Sequence, residues 1–391
     1  MKKISLLFLL VNNFVWCQNT NVSGIIRDSQ TMQPIALVNI YYETDANANS
    51  TGTVSNDDGE FTINNSKSKL VFSHINYEPF SIKSNENLKE ILLKPKNYVL
   101  DEIVVSNESA KDYLKRIIKL SNNKIDKNTL LKGYCRELVK VDNQYTKYSD
   151  ALVEYYVKKG NGKSNLVLTQ HRALKSDKID DEDDNKVDGI NSVYKVKDYV
   201  KNAYKFDAIN RLLNDDDYDF ERKIKKEANG EEYEYVSIIP NENSDRLLNK
   251  GYIIIDPKSK NILEFKVYSS ESHLKNSRII NILIAKVKMT HELTWSKFKM
   301  VNNQYLLIYN KKQFGLYIKM GKKIDNTFDF SSDLFIYEYQ NNVDITKNEY
   351  TKNTIYQSGT SSTEEFWKKY NAFPLSENEQ KFVDATEKNR L

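Results

Sequence analysis

The residues of this chain with the means to do chemistry are four histidines, an internal cysteine and several runs of carboxylates. The histidines are His74, His171, His273 and His291. A zinc peptidase built on His-x-x-Glu needs a glutamate three residues after the histidine, and those places hold Tyr77, Leu174, Asn276 and Thr294. No two histidines are four apart, so they cannot share a helix face as in the helical zinc-protease motif. His291 and Glu292 are adjacent on an expected strand, which sends them to opposite faces. The 12 glycines include no Gly-x-Ser-x-Gly nucleophile elbow and no phosphate-binding loop. Cys135, in KGYCREL, falls on an expected strand, where a buried thiol is inert; Lys132 and Arg136 are its only activating neighbours in sequence. Asp215-Asp216-Asp217 sit together in a polar loop, whereas glycoside hydrolysis needs two carboxylates held apart across a sugar. The acidic run from Lys175 to Gly189 lacks the ligand spacing of an EF-hand and is expected to be a solvated loop. No catalytic, metal-binding or cofactor-binding residue is assigned, no cofactor is expected, and the chain is read as not an enzyme.

The elements that would position such groups begin after an export signal. Lys2 and Lys3 precede an apolar run from Ile4 to Leu10, extended by Val11, Phe14, Val15 and Trp16. This run is shorter than the ~20 apolar residues of a membrane-spanning helix and reads as a secretory signal over residues 1–18. Val15 and Trp16 stand where lipidated chains carry small residues, so ordinary cleavage beside Cys17 or Gln18 is expected over lipidation at Cys17. The longest later apolar stretch, Ile279 to Val287, holds Asn281 and Lys286 and runs into Lys288, so no transmembrane helix is expected after cleavage. The 58 basic and 54 acidic residues nearly balance, which speaks against a nucleic-acid partner. With Cys17 removed, Cys135 has no partner for an intramolecular disulfide, and burial must supply the stability. The abundance of Tyr, 26 residues, with only 6 Pro suits β-sheet surfaces.

Residues 20–105 alternate short apolar runs with turn signals. Strands are expected at Val22–Ile26, Leu37–Tyr42, Phe61–Ile63, Leu70–Ser73, Phe80–Ile82, Ile91–Leu93 and Ile103–Val105. Asn56-Asp57-Asp58-Gly59 is a turn, since Asn and Asp bond their own backbone and Gly accepts positive φ. Gly24, Asp28, Pro34, Ala36 and Val38 in the first segment are followed by Gly52, Thr53, Asp57, Gly59 and Phe61 in the second. By these residues the stretch resembles the carboxypeptidase regulatory-like domain. The resemblance implies a seven-stranded transthyretin-like β-sandwich that does no catalysis. Asn76-Tyr77 stands where that family usually has Gly-Tyr, a mild departure because Asn tolerates positive φ. Leu100 to Ser106, LDEIVVS, also looks like the end of such domains in TonB-dependent outer-membrane receptors, but the remaining chain is too short for their plug and barrel.

Residues 106–350 are expected to form a larger antiparallel curved sheet or half-barrel with a few helices. Glu108 to Asn122 carries a helical apolar stripe at Ala110, Tyr113, Leu114, Ile117 and Ile118, making a connector helix at 108–122. A second helix is expected at 200–213, packed on the concave face, and one long strand at Ile279–Thr294. Val141-Asp142-Asn143-Gln144 reads as a hairpin turn. Gly251 to Ser269 looks like a strand pair of periplasmic lipoprotein carriers, which shelter acyl chains. The tail, residues 351–391, is expected to hold short helices, the last one capped by Ser376 with Glu379. Its Phe366-Trp367, Tyr370-Asn371 and Pro374-Leu375 look like the C-terminal signature of multi-domain envelope proteins. Phe366, Trp367, Tyr370 and Phe373 are the candidate partner-binding residues; the plainer reading makes the large aromatics anchors that tie the tail to the sheet.

The function expected from this pattern is a non-catalytic protein of the cell envelope, periplasmic or outer-membrane associated, that binds a protein or glycan through its β surfaces. The alternatives are a carrier or sensor of a lipid or apolar ligand in the C-terminal sheet, and a hydrolase of unfamiliar type. A deep apolar cavity under residues 200–213 would favour the carrier, and a pocket holding a histidine beside carboxylates would favour the hydrolase.

Overall fold

The computed structural model describes residues 21–43, 52–64, 69–74, 76–83, 88–96, 98–103, 108–158, 160, 162–176, 195–227, 232–301, 304–322, 324–361, 366–367 and 373–388. The signal segment with Cys17, most of the acidic run and Tyr370 lie outside these residues.

Among the described residues, seven strands form the N-terminal sandwich. One sheet holds β4 (Glu60–Asn64), β1 (Asn21–Asp28) and β7 (Glu90–Leu93). The other holds β3 (Gly52–Val54), β2 (Asn39–Tyr42), β5 (Lys69–His74) and β6 (Tyr77–Lys83). Ile26, Val38, Ile40, Phe61, Leu70, Phe72 and Leu93 fill the space between them. Two glycines are needed for geometry. A Cβ on Gly24 would lie 1.9 Å from the Leu88 carbonyl oxygen, and Gly59 closes its turn at φ 76°. Asp28 ends β1 by accepting the Gln30 and Thr31 amides and the Tyr77 hydroxyl at 2.8, 3.0 and 2.9 Å.

The strand count agrees with expectation, but its membership differs. Gly52–Val54 supplies a sandwich strand that was not foreseen. The expected strand at Ile103–Val105 is instead β8 (Tyr98–Ile103), and it pairs with β12 (Tyr218–Glu227) in the second sheet. Residues 104 and 105 lie outside the described set.

Among the described residues, that second sheet has twelve strands and does not close into a barrel. Its order is β11 (Ser164–Lys175), β10 (Gln144–Val157), β9 (Thr129–Val141), β19 (Ile324–Gln340), β18 (Gln304–Met320), β17 (Ala285–Val301), β15 (Asn261–Ser269), β14 (Asn249–Asp256), β13 (Glu232–Pro240), β12 and β8. β16 (Ile280–Ile282) hangs on β17. All of its pairings are antiparallel. The β9–β10 turn places Asp142 and Asn143 at φ 47° and 63°, the conformation that a two-residue hairpin asks of Asn and Asp. The stretch expected as one strand at Ile279–Thr294 is a hairpin instead, because Leu283 takes a left-handed φ of 53° and reverses the chain.

Among the described residues, four α-helices accompany the sheet: α1 (Ala110–Asn122), α2 (Tyr199–Tyr204), α3 (Asp207–Leu213) and α4 (Glu377–Lys388). Ser109 caps α1 by accepting the Asp112 amide at 3.1 Å. The helix expected at 200–213 is broken in two at Phe206, which has φ 52°. Burial of the whole Phe206 ring against Phe265 and Phe298 opposes the cost of that backbone. α1, α2 and α3 pack on one face of the sheet in a single apolar cluster with residues from β9 to β19. The interior under 200–213 is filled: Tyr204, Phe206, Phe265, Phe298 and Tyr305 stack with centroids 5.0–6.3 Å apart.

Candidate functional site

Strand alternation gives the large sheet two different faces. On β9, Cys135 and Glu137 turn toward the helices, while Tyr134, Arg136 and Leu138 turn the other way. This second face carries charge where the first carries hydrocarbon. It is covered by the N-terminal sandwich and by the tail, which meet over β9, β18 and β19.

The centre of this face is Arg136. Its Nε lies 3.0 Å from Asp333 Oδ2 on β19, and its Nη1 lies 3.3 Å from both Glu379 Oε2 on α4 and the Pro374 carbonyl. The guanidinium sits 4.2 Å above the Phe373 ring. Asp333 also accepts from the Tyr309 hydroxyl and lies 3.9 Å from Lys311 Nζ. Burial pushes the Asp333 carboxyl up, but Lys311 and Arg136 outweigh it and hold the group below its ordinary value. Lys311 reaches across to Asp57 of the sandwich at 2.8 Å, and Asn56 donates to the Leu375 carbonyl at 3.3 Å. Ser376 and Glu379 form the expected capping box, with the Ser376 amide 2.9 Å from Glu379 Oε2. Glu379 thus caps its helix and pairs with Arg136.

A second arginine holds the far end of the tail. Arg172 makes two bonds to Asp150, at 3.1 and 2.8 Å, and one to Glu387 at 2.6 Å. Its guanidinium lies 5.0 Å from the Trp367 ring. Trp367 and Phe373 are buried with Leu37, Val54, Tyr134, Tyr309 and Phe335. Of the aromatics named as partner-binding candidates, these two therefore act as anchors and have little surface to offer a partner. Phe366 is half-buried against Trp367, and Tyr370 is not among the described residues.

Beside this network lies a cleft of about 460 Å³. The sandwich contributes Asp57 and Asp58, the strands contribute Lys140, Tyr145, His291, Lys311, Gln313 and Asp329 among others, and the tail contributes Ser376, Asn378 and Glu379. His291 Nε2 is 3.7 Å from Asp329 Oδ1, and its Nδ1 is 3.2 Å from Thr290 Oγ1. The other histidines lie elsewhere. His273 is buried between Ser270, Ser272 and the Asn241 carbonyl, and His171 bonds Ser358 and the Gly359 carbonyl. Cys135 is buried in the apolar cluster, where burial pushes its thiol well up. Among the described residues, no group of three or more His, Cys, Asp and Glu is arranged to hold a metal ion.

Sequence reasoning did not assemble this cleft. Asp57 was read as part of a turn and of the regulatory-like pattern, and Arg136 only as a neighbour of Cys135. The available signal was a charge set among apolar neighbours on a strand, as Arg136 is in CRELV and Asp333 in FSSDLFIY. Such charges are buried only when paired, but the sequence does not say with what.

The chain is thus a β-sandwich docked on a larger open β-sheet. Residues 22–105 match the family described as CarboxypepD_reg-like domain, so the chain carries such a domain at its N-terminal end. β8 lies inside this match although it pairs with the second sheet. No curated protein matches the chain. Among solved structures, one of lipid–protein interactions in lipovitellin aligns at 7% identity and a TM-score of 0.29, covering 59% of this chain and 27% of that one. A DUF1329 family protein from Desulfovibrio piger aligns at 8% identity and a TM-score of 0.23, covering 60% of this chain and 93% of that one. These likenesses are slight and carry no argument about ligand or activity.

Proposed function

We propose that this protein is a non-catalytic binding protein of the bacterial cell envelope and that its cleft receives a hydroxyl-rich ligand, the end of a glycan. The observation that carries this reading is the lining of the cleft, drawn from sandwich, sheet and tail together. Its volume suits a small ligand or the terminus of a larger one. Carboxylates from Asp58 and Asp329 accept from hydroxyl groups, the amides of Gln313 and Asn378 both donate and accept, and Tyr145 offers a ring edge. An acyl chain would find too many polar groups there, and the space under α2 and α3 is taken by aromatic rings. Export is supported by Lys2 and Lys3 ahead of the apolar run to Leu10.

His291 beside Asp329 is the feature nearest to a hydrolase. Both ring nitrogens face protein groups, Thr290 on one side and Asp329 on the other, which speaks against a general base aimed into the cleft.

The test is a screen of envelope oligosaccharides followed by calorimetry. Asp58→Asn and Asn378→Ala are exposed changes outside the buried ion pairs. Each is expected to weaken binding about tenfold, the worth of one good hydrogen bond. If no glycan binds, the reading fails. Glycan cleavage that disappears in His291→Gln would replace it with the hydrolase.

A further inference from the structure

The β16–β17 hairpin breaks two rules of a protein surface at once. Ile279, Ile280, Ile282, Leu283 and Ile284 are 54, 56, 51, 98 and 81% exposed, a run of aliphatic side chains at the very tip. Isolated exposed leucines are ordinary, but a contiguous group of this kind marks an interaction site. The turn itself is also unusual. Leu283 sits at φ 53°, a conformation that hairpin turns give to Gly, Asn or Asp. A branched aliphatic there strains the backbone and leaves its side chain in water, so folding does not account for it.

Behind the tip the same face runs into a buried apolar cluster, so the exposed part is the tip itself. Cross-strand partners share a face, so Ile282, Ala285, Met320 and Ile324 form one apolar rung across β16, β17, β18 and β19. The next rung on that face begins with Ile280, Val287 and Ile318. The opposite face carries Asn281, Lys286, Lys319 and Asp325, where Lys319 pairs with Asp325. Lys288 follows Lys286 on that face of β17, Lys322 lies in the adjacent β18–β19 turn, and these three make no ion pair among the described residues. Arg278 also borders the tip and pairs with Asp245. The sheet therefore ends in a protruding aliphatic tip flanked by lysines that lack ion pairs, on one face and in the adjacent turn.

We infer that this hairpin docks the protein on a membrane surface carrying anionic headgroups. Leu283 and Ile284 enter the boundary between headgroups and acyl chains, and the lysines stay at the level of the phosphates. Aliphatic tip and flanking lysines together match the two layers of such an interface, and lysine stems reach from one to the other. A second copy is a poor occupant, because two tips brought together would oppose their lysines.

The experiment is co-sedimentation of the full chain with vesicles of phosphatidylcholine alone and of phosphatidylcholine with phosphatidylglycerol. The expected result is binding to the anionic vesicles at least about tenfold stronger than to the neutral ones, weakened by salt. Leu283→Asn with Ile284→Gly should abolish sedimentation. Asn suits the left-handed position at 283 and Gly is allowed at 284, so the variant should stay folded with a thermal midpoint near the native one. Lys286→Glu with Lys288→Glu should remove the preference for anionic vesicles. The inference is overturned if the tip variant sediments like the native chain, or if the native chain ignores both vesicles. A dimer of the native chain that the tip variant turns into monomer, with no vesicle binding, would assign the hairpin to a second copy instead.

Discussion

Arg136 on β9 and Asp333 on β19 meet at 3.0 Å in the middle of the charged face of the large sheet, both almost wholly out of water. This pair lies where the two strands are direct neighbours in register, so the backbone ladder and the ion pair specify the same alignment. From it, bonds run outward to the sandwich through Lys311 and Asp57 and to the tail through Glu379. The pair is one point at which the three parts of the molecule are joined.

Arg136→Met should therefore be strongly destabilising. It leaves Asp333 and Glu379 buried with one cation fewer, and the loss of one partner of a buried pair costs about 3–5 kcal/mol. Urea denaturation measures this directly. Because Asp333 is held below its ordinary value, the stability it contributes is present above the ordinary carboxylate range and is lost as pH falls below that range through the lowered value. Asp333→Asn should flatten that acid limb. An unchanged limb would mean that other carboxylates govern acid unfolding.

Glu137 predicts the opposite pH dependence. Burial pushes its carboxyl up to about 7, against the Tyr199 hydroxyl and the Ile355 amide, which lie 2.9 and 2.8 Å away and favour the charged form. The folded state thus holds a proton that the unfolded state releases. The contribution is full below the ordinary glutamate range and is lost as pH rises through about 7. The difference is worth on the order of 3 kcal/mol. Thermal midpoints of the native chain and Glu137→Gln, compared from pH 5 to pH 8 as about three units of titration, should diverge in slope. Parallel curves would show that Glu137 is ionised throughout.

The tail aromatics should differ sharply from one another. Trp367 is buried against Tyr134 at 6.5 Å and under Arg172, so Trp367→Ala should cost about 3–5 kcal/mol. Phe366 is only half-buried and should cost about 1–2 kcal/mol. Limited proteolysis provides a second readout, with cleavage ahead of α4 accelerated in Trp367→Ala and nearly unchanged in Phe366→Ala. Equal effects would remove the anchoring role given to Trp367.

Much of the local structure could be read from residue type and spacing. The Asp142-Asn143 hairpin and the Ser376–Glu379 box both formed as expected, because each depends on neighbours within four residues. Expectations failed where a distant contact overrode local preference. Phe206 breaks a helical pattern to bury its ring beside Phe265 and Phe298. β8 leaves the sandwich to pair with β12, more than a hundred residues away. Leu283 reverses a run expected to stay straight without any such contact, its side chain in water.

The amino-acid sequence alone determined the β-sandwich, the predominance of strands after it and the want of familiar catalytic spacings, since these rest on short-range periodicity and on motifs. The tertiary structure decided which charges meet. Asp57, Arg136, Lys311, Asp333 and Glu379 come from a sandwich turn, three strands and a tail helix, and only the docking of sandwich and tail on one face brings them into a single network beside a cleft. The reason is physical. A buried ion pair is set by where the strands and domains pack, and charge pairing depends on distance in space, which spacing along the chain does not encode.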